Sequence, residues 1–251
     1  MKLADIVYCE WIKLKRSKII LIGVLGSLIV PFLVIINNIR ISLSNSAASL
    51  SLSWIYEDTI MFLMLLFGPL ILTVTASYLI SREYTEKTLK TIFVVPIKRS
   101  QFLIGKFMIF FILVLLFMIL SWLDIMIISI ICSLFLNISQ ITLLSAASIL
   151  IQMLKGGILL FTTLTPFVYL TLCTKGTIVP FIAIAVISLL NVVLSGSPIA
   201  GFYPWTATYL LLTGRLEQSG CPIWFQILLI LFLCTFSIGA SILKFQKRDI
   251  I

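Results

Sequence analysis

Six long apolar runs, with little between them, fix what this chain can become. They cover roughly residues 19–37, 59–80, 107–134, 143–173, 177–195 and 223–243. A membrane helix needs about 20 mainly apolar residues, and each run is of that size. Composition agrees, with 61% hydrophobic residues, 11% charged residues and a mean hydropathy of +1.22. Soluble globular domains sit near 45–50% apolar and about 25% charged. The reading is an all-α membrane protein of six transmembrane helices, forming one transmembrane domain over residues 1–251. The fourth run is interrupted by Lys155-Gly156-Gly157, Pro166 and Lys175. It reads as one tilted, kinked span, because splitting it would invert everything downstream.

Charge tests that count. With six spans and both termini inside, fifteen of the eighteen Lys and Arg fall on the cytoplasmic side. Arg40 and Arg215 stay outside, and Lys155 lies within the membrane. This asymmetry is what the positive-inside rule requires, and an odd span count would put the basic tail outside. The net charge of +9 therefore reports membrane orientation and gives no case for nucleic acid. The chain has no histidine, which removes the commonest metal ligand and general base. Its five cysteines are scattered, with no Cys-x-x-Cys pair, so neither a disulfide framework nor a metal site is expected.

Residues 1–18 place Leu3, Ile6, Val7, Trp11 and Leu14 at helical spacing among Lys2, Lys13, Lys15, Arg16 and Lys18. The expectation is an amphipathic helix lying on the cytoplasmic membrane face. Asp5 and Glu10, with a long apolar run behind them, favour an uncleaved anchor over a signal peptide. The two long outer segments are 38–58 and 196–222. In the second, Trp205 to Thr213 is apolar enough to dip back into the interface and is placed to line an exit.

One long polar island interrupts the oil: Arg82 to Lys106, REYTEKTLKTIFVVPIKRSQFLIGK. Thr85 to Val95 can form a short amphipathic helix with Leu89, Ile92 and Phe93 on one face and Glu86, Lys87 and Lys90 on the other. Pro96 ends it. Such a helix suits docking into a groove on a partner. The same stretch also reads as a solvated loop that merely obeys the charge rule, and the residues alone leave both open.

Glu83, Glu86, Thr88-Leu89, Ile92-Phe93, Pro96, Arg99 and Gly105-Lys106, in this place, resemble the cytoplasmic loop of type-2 ABC exporter permeases. One position departs: that family usually has Gly before the Thr-Leu pair, where this chain has Lys87. The ending, Phe245, Arg248 and Asp249, is also similar to that family's. The resemblance implies a coupling helix seated on an ATP-binding subunit, with Glu83, Glu86, Thr88, Leu89, Ile92, Phe93, Pro96 and Arg99 as coupling residues. It implies two ATPase copies, carrying ATP and Mg, and a second permease chain, identical or paralogous. Small permeases of this kind resemble exporters of amphipathic peptides (bacteriocins, peptide antibiotics, peptide toxins) in the bacterial plasma membrane. The chain itself has no P-loop, since Gly105-Lys106 is followed by Phe107. It carries no catalytic motif, so no enzymatic role and no bound cofactor are expected. The competing classes are a secondary transporter and an ABC exporter of another hydrophobic or lipid cargo.

Asp124 and Lys155 are the charges left inside the membrane, each costing at least about 2.5–3.5 kcal/mol unless it faces protein or water. Counted from the outer span ends they fall at similar depth, which predicts an ion pair joined by Gln152. That pair would either specify the fold or mark a polar point on the cargo path.

Overall fold

The computed structural model describes residues 3–15, 17–44, 52–88, 98–133, 142–215 and 220–247. Among them all regular structure is helical: α1 (Leu3–Lys15), α2 (Ile19–Ser44), α3 (Leu52–Phe62), a π-helical turn (Leu63–Phe67) and α4 (Gly68–Thr85). There follow α5 (Arg99–Ser133), α6 (Leu143–Thr174), α7 (Ile178–Leu194), a 3₁₀ turn (Pro198–Phe202), α8 (Pro204–Thr213) and α9 (Ile223–Gln246). Five segments are long and apolar enough to cross a membrane: Ile19–Arg40, Ser53–Thr85, Arg99–Ile131, Leu144–Thr174 and Ile223–Gln246. The sixth expected run is α7, apolar but only 17 residues long. The chain is a multi-pass membrane protein.

The helices overrun the apolar runs. The expected segment 38–58 shrinks because α2 continues to Ser44 and α3 begins at Leu52. Asn38 shows why polar residues can stay helical there. Its amide donates to the Val34 carbonyl at 2.9 Å and to the Asp58 carboxylate at 3.2 Å, so it needs no water and bridges the two helices.

The bundle is built around α6, which packs on α4, α5, α7, α8 and α9. Two glycines permit this. A Cβ on Gly157 would come 3.1 Å from Met118 Cγ of α5, and one on Gly156 would come 3.0 Å from Leu212 Cδ2 of α8. Small residues let helices approach closely where lipid supplies no hydrophobic drive.

Two prolines, Pro69 and Pro166, organise the backbone. In an α-helix the Leu65 carbonyl would accept from residue 69, but Pro69 has no N–H. The helix widens into the π-turn just before it, and the buried Asn191 of α7 donates its amide to Leu65 O at 3.1 Å. Gly68 closes that turn: its N–H bonds Leu63 O, and a Cβ there would sit 2.1 Å from that oxygen. In α6, Pro166 likewise strands the Thr162 carbonyl, which Thr165 Oγ1 caps at 2.9 Å. One residue on, Thr163 O accepts from the Trp205 indole at 3.1 Å, docking α8 at the same break. Freed carbonyls inside a membrane protein need such partners, and here they decide where α7 and α8 sit.

Candidate coupling site

The polar island is shorter than its sequence suggests. Arg82–Thr85 belong to α4 and Arg99–Lys106 to α5. Thr85, expected to start the amphipathic helix, instead ends α4, and the chain turns through Glu86, Lys87 and Thr88. Leu89, Ile92, Phe93 and Pro96 lie outside the described residues.

Lys87 explains the family's glycine. Its φ is +54°, the left-handed conformation that follows a helix end and that costs a side-chain-bearing residue about 1–2 kcal/mol. Lys87→Gly should therefore stabilise the chain, by at most about 1 kcal/mol after glycine's unfolded-state entropy is counted. A thermal melt of both forms in one detergent checks it, and an unchanged or lowered melting point would refute the assignment.

Beneath the loop, four side chains close a ring. Lys106 of α5 is 3% exposed. Its ammonium spends all three donors: on Glu10 Oε2 at 3.1 Å, Glu83 Oε1 at 3.2 Å and Leu79 O at 2.8 Å. Lys13 of α1 reaches the same two carboxylates, Glu10 Oε1 at 3.0 Å and Glu83 Oε1 at 3.2 Å. Burial works against the Lys13 charge, but Glu10 and Glu83 outweigh it and hold the ammonium above the usual lysine range. Thr88 donates to Glu83 Oε2, which ties the last residue of the turn to the ring. Arg82 adds a bond to Lys13 O at 3.2 Å and a pair with Glu86 at 2.8 Å. Gly105 lets α1 come this close, because a Cβ there would lie 2.8 Å from Ile6 Cγ2.

The other leg of the loop is fastened too. Arg99 donates to Gln246 O at 3.0 Å, and Phe102 stacks on Phe245 with centroids 6.0 Å apart. Both legs, the N-terminal helix and the end of α9 thus form one packed unit.

Glu10 and Lys13 escaped the sequence reading. The signal was there: Glu10 falls on the stripe of Leu3, Ile6, Val7 and Leu14, and a carboxylate on the apolar face of a helix needs a cation opposite. Lys106 supplies it.

The profile of the family described as "ABC-2 family transporter protein" matches residues 6–191. The chain belongs to the ABC-2 transporter family. It is also 27% identical over 198 residues to the bacitracin transport permease protein BCRB of Bacillus licheniformis, covering 78% of this chain and 91% of that one. As an ABC-2 permease it is a transport subunit of a kind that works with an ATP-binding subunit, not a catalyst in its own right. The match contains all four residues of the ring and the π-turn as well.

Within the membrane the expected cluster of this ABC-2 chain is corrected. Asp124 and Lys155 form no ion pair. The helix register forbids it. The Trp122 indole of α5 donates to Ala146 O of α6 at 3.0 Å, and Met118 faces Gly157. Asp124 therefore lies level with the first turns of α6, several residues above Lys155. Counting from span ends assumed two helices that finish flush, and these do not. Asp124 instead turns to Ser27 of α2, within hydrogen-bonding reach, and its Oδ2 is buried without a partner. Lys155 and Gln152 are exposed on α6.

Proposed function

We propose that this ABC-2 permease is the transmembrane subunit of an ATP-driven exporter in a bacterial plasma membrane. It has six spans, α7 included, and both termini in the cytoplasm. Two such chains, identical or paralogous, form the pathway. Two ATP-binding subunits grip the 82–96 stretch, and their nucleotide-driven closure moves it with its clamped legs as a rigid body. Leu89, Ile92 and Phe93 fill a groove on the ATPase, while Glu86 and Arg99 sit at its edge. ATP and Mg stay on the partner.

The observation that carries this reading is the buried ring Glu10–Lys13–Glu83–Lys106 under the loop. A loop that only obeyed a charge rule would need no such anchorage. The cargo is an amphipathic peptide, and the relative named for bacitracin transport supports that class.

The test is a growth assay in cells co-expressing the chain with its ATPase, challenged by a panel of bacitracin, lantibiotic and other amphipathic peptides. Protection is expected against at least one peptide, and it should vanish with Leu89→Asp/Phe93→Asp. Equal protection without any ATPase would reject the reading. It would favour the secondary transporter, for which the unpartnered oxygen of Asp124 is the one specific observation.

A further inference from the structure

At the end of the bundle opposite the loop, α3, α6 and α8 enclose a cleft of about 310 Å³ that the coupling site does not use. Ile60, Ile149 and Tyr209, all buried, form its floor. Ser148, Thr213 and Gln152 line its walls. Across the rim Arg215 Nη2 pairs with Glu57 Oε2 at 3.2 Å, both side chains about half exposed. Next in sequence to the lining residues Ser53 and Ser145 stand two exposed apolar side chains, Trp54 of α3 at 58% exposure and Leu144 of α6 at 82%. Leu144 opens a membrane-crossing segment, and Trp54 stands at the start of another. An exposed Trp at a span end marks the headgroup level of a bilayer.

We propose that this cleft holds the zwitterionic headgroup of one phospholipid, an aminophosphate ester such as phosphatidylethanolamine. Size argues first: the volume is at the low end for ligand sites, enough for a headgroup and too little for a peptide cargo. Charge argues second. An exposed ion pair contributes little to stability, so it opens readily for a ligand that offers both partners something better. Arg215 then takes the phosphate by forked, charge-assisted bonds, and the Ser148 and Thr213 hydroxyls, which now donate to Ser145 O and Tyr209 O, complete its shell by turning from those carbonyls. Glu57 takes the ammonium, and the Tyr56 ring lining the cleft beside it adds an aromatic face. A purely anionic lipid would satisfy Arg215 but leave its negative charge against Glu57, which selects against it. The acyl chains leave past Leu144 and Trp54 into the bilayer. The inference needs only a chain that crosses the membrane and does not rest on the cargo or the direction of transport.

Native mass spectrometry of the full chain in mild detergent tests it, with equimolar phosphatidylethanolamine and phosphatidylglycerol supplied. The expected result is one phosphatidylethanolamine retained about tenfold over phosphatidylglycerol, the worth of one charge-assisted contact. Glu57→Gln should erase the preference, and Arg215→Gln should lose both lipids. Ser148→Leu fills the cleft from an exposed position and should also expel the lipid. Equal retention of the two lipids would overturn the proposal, as would retention unchanged by Ser148→Leu. So would glycerophosphoethanolamine competing as well as the intact lipid, because the site would then read a free aminophosphate. Export measured in the same cells reports separately on the transport reading.

Discussion

Gly68→Ala should prevent the chain from assembling. The added methyl would lie 2.1 Å from Leu63 O and 3.2 Å from Leu160 Cδ1, and the first of these is backbone that cannot swing away. The π-turn must then tighten to an α-turn. Removing its extra residue rotates α4 by about 100° relative to α3, since each helical residue advances by that angle. Leu65 O then turns from Asn191, and Glu83 turns from Lys106 and Lys13. Overpacking costs about 1–3 kcal/mol and a lost interhelical bond in a membrane about 1–2 kcal/mol. At about 2–4 °C per kcal/mol, any protein that does assemble should melt about 10 °C lower. Gly23→Ala and Gly239→Ala are the controls, because nothing lies within 4 Å of their added methyls. If Gly68→Ala melted with them and with the parent chain, the π-turn would have no structural role.

Much of this architecture was legible in the sequence. Apolar length alone located the helices at 19–37, 107–134, 143–173 and 223–243, and each appears, extended at one or both ends. The extensions were hidden because hydropathy reports burial in lipid, whereas Arg82–Thr85 and Arg99–Lys106 stay helical through ion pairs beyond it. The family pattern named Glu83 and Gly105-Lys106, and the structure brings Glu83 and Lys106 together in one ion pair. What the pattern could not display is that Glu10 and Lys13, some seventy to ninety-six residues earlier in the chain, complete the same ring.

Prolines were the weakest point. Prolines are frequent in membrane helices, and what Pro69 and Pro166 do shows only in the partners of their stranded carbonyls, Asn191 and Thr165. Those pairings depend on tertiary register, which local sequence does not encode. The failed Asp124–Lys155 pair has the same origin. Depth counted along one helix says nothing about how far its neighbour is shifted.

Lys106→Met should be the most damaging single change near the loop. It leaves Glu10 and Glu83, with side chains 5% and 4% exposed, facing each other with only the half-exposed Lys13 between them. Removing one partner of a buried ion pair costs about 3–5 kcal/mol, so poor assembly is expected, and export fails with it. Loss of folding hides any effect on transmission, so the decisive variant removes the charges together. Glu10→Gln/Lys13→Met/Glu83→Gln/Lys106→Met removes every charge of the ring, Lys13 included because Glu10 and Glu83 are its two partners, and such replacements are often neutral for stability. It keeps Leu89, Ile92 and Phe93, so the ATPase should still bind. The measurement is peptide export per ATP hydrolysed by the purified complex in vesicles. The account predicts a folded, ATPase-bound complex that hydrolyses ATP but exports little. Export at the parent ratio, with the ring dismantled, would contradict the claim that force enters the bundle through this clamp.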